Sequence, residues 1–331
     1  MLGEYDVAVV GGGVVGTAAA WQLARRGARV ALLEKGDIAS GASATNPGFL
    51  VFSYRENAFA MRLALEQDDR WPEFQRELGV DLELNHCGGL MPFDAPDQER
   101  VLAFLVDQAH KLGLSAFELV SAARARELEP ALEIQRITGA AWCAREGHLN
   151  PFRLNLALAE GAKRLGAHLY PHTPVTGIDV ANGVVTALHT PRGRLKAGLI
   201  VVAAGAWCRE VTNLAGADVP IRYEKGEAMV TAGVAPRVNC IVTDGSLFTQ
   251  RDDSVMRVGC CMKQARDGNI VIAQSTTIPE SHETGNTSEG LIRVARRMLR
   301  LFPSLADLEV IRMWSGLISY VDDKAPVFGP L

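Results

Sequence analysis

Four glycines, two valines and one glutamate near the start of the chain have the spacing of a nucleotide-phosphate site. Gly11-Gly12-Gly13-Val14-Val15-Gly16 is a glycine turn of the form G-x-G-x-x-G, and Glu34 follows at the end of the next apolar run. Gly11 permits a tight turn, Gly13 lets a phosphate approach the backbone with no Cβ in the way, and Gly16 allows a helix to lie close on a strand. A helix starting here offers free N–H groups and the positive end of its dipole to a pyrophosphate. Glu34 is placed to accept hydrogen bonds from ribose hydroxyls.

Such a turn binds a dinucleotide only in the right setting, and the flanking residues supply it. Asp6-Val7-Ala8-Val9-Val10 is a short apolar run that predicts a buried strand, Thr17 to Arg26 predicts a helix stopped by Gly27, and Ala28 to Leu33 predicts a second strand. A plain glycine turn in an α/β domain would leave Glu34 and Gly16 without a purpose. The pattern alone does not separate NAD from FAD. The long stretch of small and polar residues from Gly36 to Gly48 favours FAD, because it can lie as backbone along a larger cofactor. Ala197 to Ala204 then predicts another buried strand, ending in a second glycine turn at Gly205.

Between these elements, a helix is expected over 53–70, capped by Ser53 and broken at Trp71-Pro72, with a further helical piece to Leu78. Short strands are expected at Asp81–Leu84, Gly89–Met91 and Gly139–Cys143, and helices after Asp94, Ser121 and Asn150-Pro151. His168–Tyr170 and a β-meander through Val175, Ile178, Val184-Val185 and Leu188 lead into the second glycine turn. The stretch from Pro220 to Ser275 is strand-rich, with a hairpin turn at Arg266-Asp267-Gly268-Asn269. Ser288 to Leu301 is a basic amphipathic helix, and a solvated face accounts for Arg293, Arg296, Arg297 and Arg300.

Composition excludes several classes. The 331 residues carry 48% hydrophobic and 22% charged residues with a net charge of −4, so the chain is globular, long enough for two domains, and has no basic stripe for nucleic acid. Its six cysteines show no CxxC or metal spacing, which predicts no metal site and a reduced, cytoplasmic setting. No apolar stretch reaches membrane-spanning length, although peripheral membrane association is compatible with this composition.

With both glycine turns placed, the chain resembles the D-amino-acid oxidase family of FAD flavoproteins. The specific pieces are Asp6 to Gly16 with Glu34-Lys35, Gly41-Ala42-Ser43 through Asn46 and Gly48, Gly147-His148-Leu149-Asn150-Pro151, Thr173-Pro174-Val175, Ala203 to Trp207, Asp267-Gly268-Asn269, and Asp323 to Pro330. The resemblance implies an α/β fold, with a discontinuous Rossmann-type FAD-binding domain over 1–84, 146–222 and 316–331. A mixed α+β substrate domain of antiparallel strands would comprise 85–145 and 223–315. It further implies FAD held by Gly11, Gly13, Val14, Val15 and Gly16 at the pyrophosphate and by Glu34 and Lys35 at the ribose. Ala42 and Ser43 would run along the phosphates, with Val175, Ala204 and Gly205 at the adenine end. Pro47, Gly48 and Phe49 would approach the flavin. The implied reaction is oxidation of an amine α to a carboxylate by hydride transfer to flavin, followed by imine hydrolysis. The electrons would pass to oxygen or to an electron-transfer partner, and a partner subunit is compatible with the family. No metal is implied.

Two departures shape the expectation. Members that oxidise free amino acids often carry an arginine in a Trp-x-Gly-Leu-Arg-Pro-like stretch, which clamps the substrate carboxylate. Here the stretch is Trp314-Ser315-Gly316-Leu317-Ile318-Ser319-Tyr320, and Ile318 cannot bind a carboxylate. Arg55 and Lys263 are the candidate replacements, and Phe49 and Tyr320 the candidate aromatic walls. His148 is expected to order a loop and Cys260-Cys261 to pack in a strand. Family members also continue for about another strand and helix beyond the position of Leu331, so a truncated C-terminus is expected. The alternative function is a flavin-binding subunit without catalysis, or one that passes electrons within a larger dehydrogenase complex. An NAD-dependent dehydrogenase is disfavoured by the 36–48 loop and the second glycine turn.

Overall fold

Gly3–Val10 is the central strand of a six-stranded sheet whose order runs 168–170, 30–33, 3–10, 193–202, 184–190, 177–181. In this computed structural model residues 2–53, 55, 57–250, 255–323 and 325–331 are described. The first four strands run parallel, and the last two form an antiparallel meander on the strand Gly193–Val202. Buried on both faces, the two inner strands read as continuous apolar runs, Val7-Ala8-Val9-Val10 and Val30–Leu33. Helices Val14–Arg25, Ala58–Leu78 and Pro151–Arg164 cover one face, where Val7, Val9, Trp21, Trp71, Leu78 and Leu158 form a single core.

A second sheet has eight strands in the order 310–320, 222–231, 270–277, 257–264, 241–243, 89–93, 139–143, 117–121. Its pairs are antiparallel except Ile241–Thr243 against Gly89–Phe93. Helix Ser288–Leu301 covers one face through Leu291, Val294 and Met298, packed on Met229, Met262 and Ile272. The mixed fold is therefore as expected. Gly316–Tyr320, grouped by sequence with the cofactor domain, completes a strand of this second sheet.

Local expectations fail at three places, each for a physical reason. The helix expected from Ser53 starts at Ala58, because Asn57 accepts from the N–H groups of Phe59 and Ala60 while the N–H of Ser53 goes to the buried Glu146 carboxylate; Tyr54 and Glu56 lie outside the described residues. It runs unbroken through Pro72 to Leu78. Edge-to-face contacts of Phe74 with Trp71 and Trp21 fix that turn, so tertiary packing outweighs the lost N–H bond. The strand expected at Asp81–Leu84 does not form: Glu83 has φ +56, and Asn85 makes a single bridge to His148.

Candidate functional site

The glycine turn is built as its residue types require. Gly11 has φ +116, and a Cβ there would sit 2.3 Å from the Ala203 carbonyl oxygen; a Cβ on Gly16 would sit 1.9 Å from that of Gly11. A side chain at Gly11 would push apart the tips of strands 3–10 and 193–202, and one at Gly16 would push the helix off the turn. A Cβ on Gly13, by contrast, meets only the Ser43 hydroxyl at 3.2 Å, so the outer side of the turn is open. No side chain caps the helix at Gly13, its first turn holds no acid, and Val15 is 65% exposed. This is a positive helix end, open on its outer side and suited to a pyrophosphate.

Tertiary structure brings the other expected residues to this turn. Glu34 accepts from the N–H of Gly12 and of Gly36, each at 2.7 Å, and so ties the turn to the tip of the second strand. Ser43 accepts from the Val14 N–H at 2.9 Å, laying Ala42-Ser43 across the helix start. The segment leading to Val175 runs along the same tip, with the N–H of Thr173 bonded to the Glu34 carbonyl. The Ala203 N–H bonds the Val10 carbonyl, so Ala204 and Gly205 adjoin the first glycine turn. The Lys35 ammonium lies over the Trp207 ring, 3.1 Å from its centroid; burial holds it below the ordinary lysine range, opposed by Glu34 and Glu210. One supporting residue had no sequence signal beyond being polar on an apolar helix face. Asn155, fully buried, donates to the Gly12 carbonyl and accepts from the Thr17 hydroxyl.

Facing this cradle is one surface of the eight-stranded sheet. Trp314 donates from its indole N–H to the Thr45 carbonyl at 3.0 Å, and a Cβ on Gly316 would strike the Thr45 side chain. Phe49 packs with Ala228, Cys261, Ala273, Leu247 and Trp314. The absence of side chains at Gly226, Gly259 and Gly316 lets Ile318, Leu247 and Thr45 respectively pack against the backbone of this face.

The pocket candidates sort clearly. Phe49 packs on this face, and Tyr320 lies on the same face at the far end of strand 310–320. Lys263 is buried: it is 5% exposed, donates to the Leu149 carbonyl at 3.0 Å, and stands 3.5 Å from Nδ1 of His148. Burial lowers Lys263 to about 8, and burial with the Lys263 charge lowers His148 to about 4. His148 orders the loop through backbone pairing with Asn85 and Phe49. Arg55 acts on the buried Glu146, whose carboxyl is raised by burial and lowered by neighbours including Arg55. Cys260 belongs to the core under helix 288–301, while Cys261 packs with Phe49. Among the described residues no cluster of His, Cys, Asp and Glu is suited to a metal, and no helix is long and apolar enough to cross a membrane.

The family described as DAO, FAD dependent oxidoreductase, matches residues 6–331. The chain belongs to this family. It is 29% identical to a subunit of opine oxidase from Agrobacterium tumefaciens, over 98% of this chain and 85% of that protein. To the glycine oxidase of Geobacillus kaustophilus it is 28% identical over 99% of this chain and 85% of that protein. The crystal structure of that glycine oxidase superposes with a TM-score of 0.88, at 27% identity, covering 98% of this chain and 85% of the other. That of L-proline dehydrogenase from P. horikoshii also gives 0.88, at 25% identity, covering 100% and 86%. As a DAO-family member the chain is an FAD-dependent oxidoreductase, and the open, uncapped turn at Gly11–Gly16 fits that cofactor's pyrophosphate.

Proposed function

We propose that this DAO-family protein oxidises an amine α to a carboxylate, in an amino acid or N-alkyl amino acid such as glycine, sarcosine, proline or a D-amino acid. One observation carries the proposal: one face of the eight-stranded sheet, through Trp314, Gly316, Ala228 and Ala273, packs on Thr45 and Phe49 directly beside the dinucleotide cradle. Bound FAD supplies the two-electron acceptor. Gly11 to Gly16 would hold its pyrophosphate, Glu34 and Lys35 its ribose, and Val175, Ala204 and Gly205 its adenine end. Ala42 and Ser43 would follow the phosphates, and Pro47, Gly48 and Phe49 would border the reacting ring. Phe49 and Trp314 would wall the substrate and exclude water, with Tyr320 at the rim. Hydrolysis of the imine would follow.

The proposed cofactor domain is discontinuous, formed by the residues of the six-stranded sheet and the helices on it; 223–320 and 85–145 form the substrate domain. A reduced, cytoplasmic setting agrees with the six free cysteines. The chain resembles subunits of complexes, and a partner subunit is part of the proposal.

The test is the visible spectrum of the purified protein, followed by anaerobic addition of sarcosine, proline, glycine and D-amino acids. Bleaching of the flavin bands by one of them is the expected result. Ile318 in place of an arginine favours a second possibility, a flavin-binding subunit without amine oxidation, and a yellow protein bleached by none of these amines would establish it instead.

A further inference from the structure

The loop between strand 270–277 and helix Ser288–Leu301 is tied to the larger sheet along strand 222–231. Alternate residues of a strand share a face, and Tyr223, Lys225 and Glu227 each hold this loop. Lys225 donates to the Gly285 carbonyl at 3.0 Å. Glu227, fully inside the fold, accepts from the N–H and from the hydroxyl of Thr287. Tyr223 stacks on the ring of His282, with centroids 4.3 Å apart and planes 28° apart.

From this anchorage His282 reaches the cofactor domain. Its ring also stacks on Trp207, at 4.9 Å and 20°. Its Nε2 stands 3.3 Å from the Ala206 carbonyl oxygen and 3.2 Å from the Glu210 carboxylate. Trp207 ends the second glycine turn, and the Lys35 ammonium lies over its ring. Tyr223, His282, Trp207 and Lys35 therefore form one continuous row, from a strand of the larger sheet to the tip of strand 30–33 beside Glu34.

We infer that His282 is a positioning residue for the adenosine end of FAD: it fixes Trp207, whose ring holds the Lys35 ammonium at the ribose. The inference rests on the placement of Lys35 at the ribose proposed above. A lysine on its flexible four-carbon stem is costly to order at a ligand. An aromatic face orders the ammonium in advance by cation–π attraction. That works only if the aromatic ring is itself held, and the parallel imidazole of His282 sets the plane of Trp207. Because the His282 loop is bonded to strand 222–231, the same row fastens the larger sheet to the cofactor domain, at a place separate from the Trp314–Thr45 contact.

The test uses the full chain freed of FAD, and reads its affinity for FAD and for ADP, which carries adenosine and pyrophosphate without the flavin. Wild type is expected to bind both. His282→Ala should weaken each on the order of tenfold. His282→Phe, which keeps a stacked ring, should recover most of that loss. Lys35→Met should weaken each by a similar factor, and adding His282→Ala to it should cost little more, because the two side chains act through one contact. If His282→Ala does not fold, His282→Gln takes its place, since an amide can donate to the Ala206 carbonyl but offers no ring. Affinities unchanged by loss of the ring overturn the positioning role. Losses of FAD affinity with ADP affinity intact overturn the assignment to the adenosine end. Losses at positions 35 and 282 that simply add overturn the route through Lys35. Lys35→Met with wild-type affinity overturns the placement of Lys35 and the inference with it. Amine oxidation is read separately by the bleaching experiment above, and none of these outcomes alters that result.

Discussion

The ammonium of Lys263 stands 3.0 Å from the carbonyl oxygen of Leu149, at a residue only 5% exposed, behind the Gly48–Phe49 turn. Burial brings Lys263 down from 10.5 to about 8. Between those values the unfolded chain binds a proton that the folded protein does not, so stability rises with pH across that window and is insensitive to this group below it. Relative to Lys263→Met, wild type should gain about 2 kcal/mol between pH 7 and pH 9.5. Urea unfolding of both proteins at the two pH values measures this, and parallel pH profiles would refute it.

His148 has the same sign in a lower window. Burial, with the Lys263 charge second, lowers its ring from 6.5 to about 4. Folding keeps it neutral where the unfolded chain is protonated, so stability falls as pH drops from about 6.5 to 4, by up to about 3 kcal/mol. His148→Asn should flatten this part of the acid-unfolding curve, as followed by circular dichroism.

The glycine turn gives a steric prediction. A Cβ on Gly16 would lie 1.9 Å from the Gly11 carbonyl oxygen, whereas one on Gly285 meets nothing within 4 Å. Gly16→Ala should weaken FAD binding at least about tenfold, one full 1.4 kcal/mol step, and lower Tm. Gly285→Ala should change neither. Equilibrium dialysis of the apoprotein against FAD, with thermal melts, reads both effects.

Arg297 bonds Asp244 with two donors and reaches Asp94 with a third, and Asp244 is fully buried. Arg297→Met leaves that carboxylate buried and unpaired and should cost about 3–5 kcal/mol. Arg296→Met, one residue away on an exposed position of the same helix, should stay within about 0.5 kcal/mol. Urea midpoints that shift equally for the two variants would contradict this assignment.

These residues also mark how far local pattern reaches. Arg293, Arg296, Arg297 and Arg300 look alike along the helix, and amphipathic periodicity puts all four on a solvated face. That description holds for three of them; Asp94 and Asp244, distant in sequence, draw Arg297 into a largely buried ion-pair cluster. Pro72 misled for the same reason, because the contacts of Phe74 with Trp71 and Trp21 are invisible to a sequence window. Lys263 carries no local sign of burial; Gly48 and Leu149, which enclose its ammonium, are distant in sequence.

The sequence by itself determined the dinucleotide cradle. A turn that must admit a phosphate and bring a helix against a strand accepts only glycine at set positions, and those constraints are local enough to be written in consecutive residues. It also determined the strand–helix order of the first sheet, through unbroken apolar runs and their punctuation by glycine and proline. Only the tertiary structure decided which face of the second sheet meets Thr45 and Phe49, and with it the setting of Trp314 and Ile318. Strand register across 222–231, 257–264, 270–277 and 310–320 is fixed by long-range pairing and bulges, and a one-residue slip in any of them would turn those side chains to the opposite face.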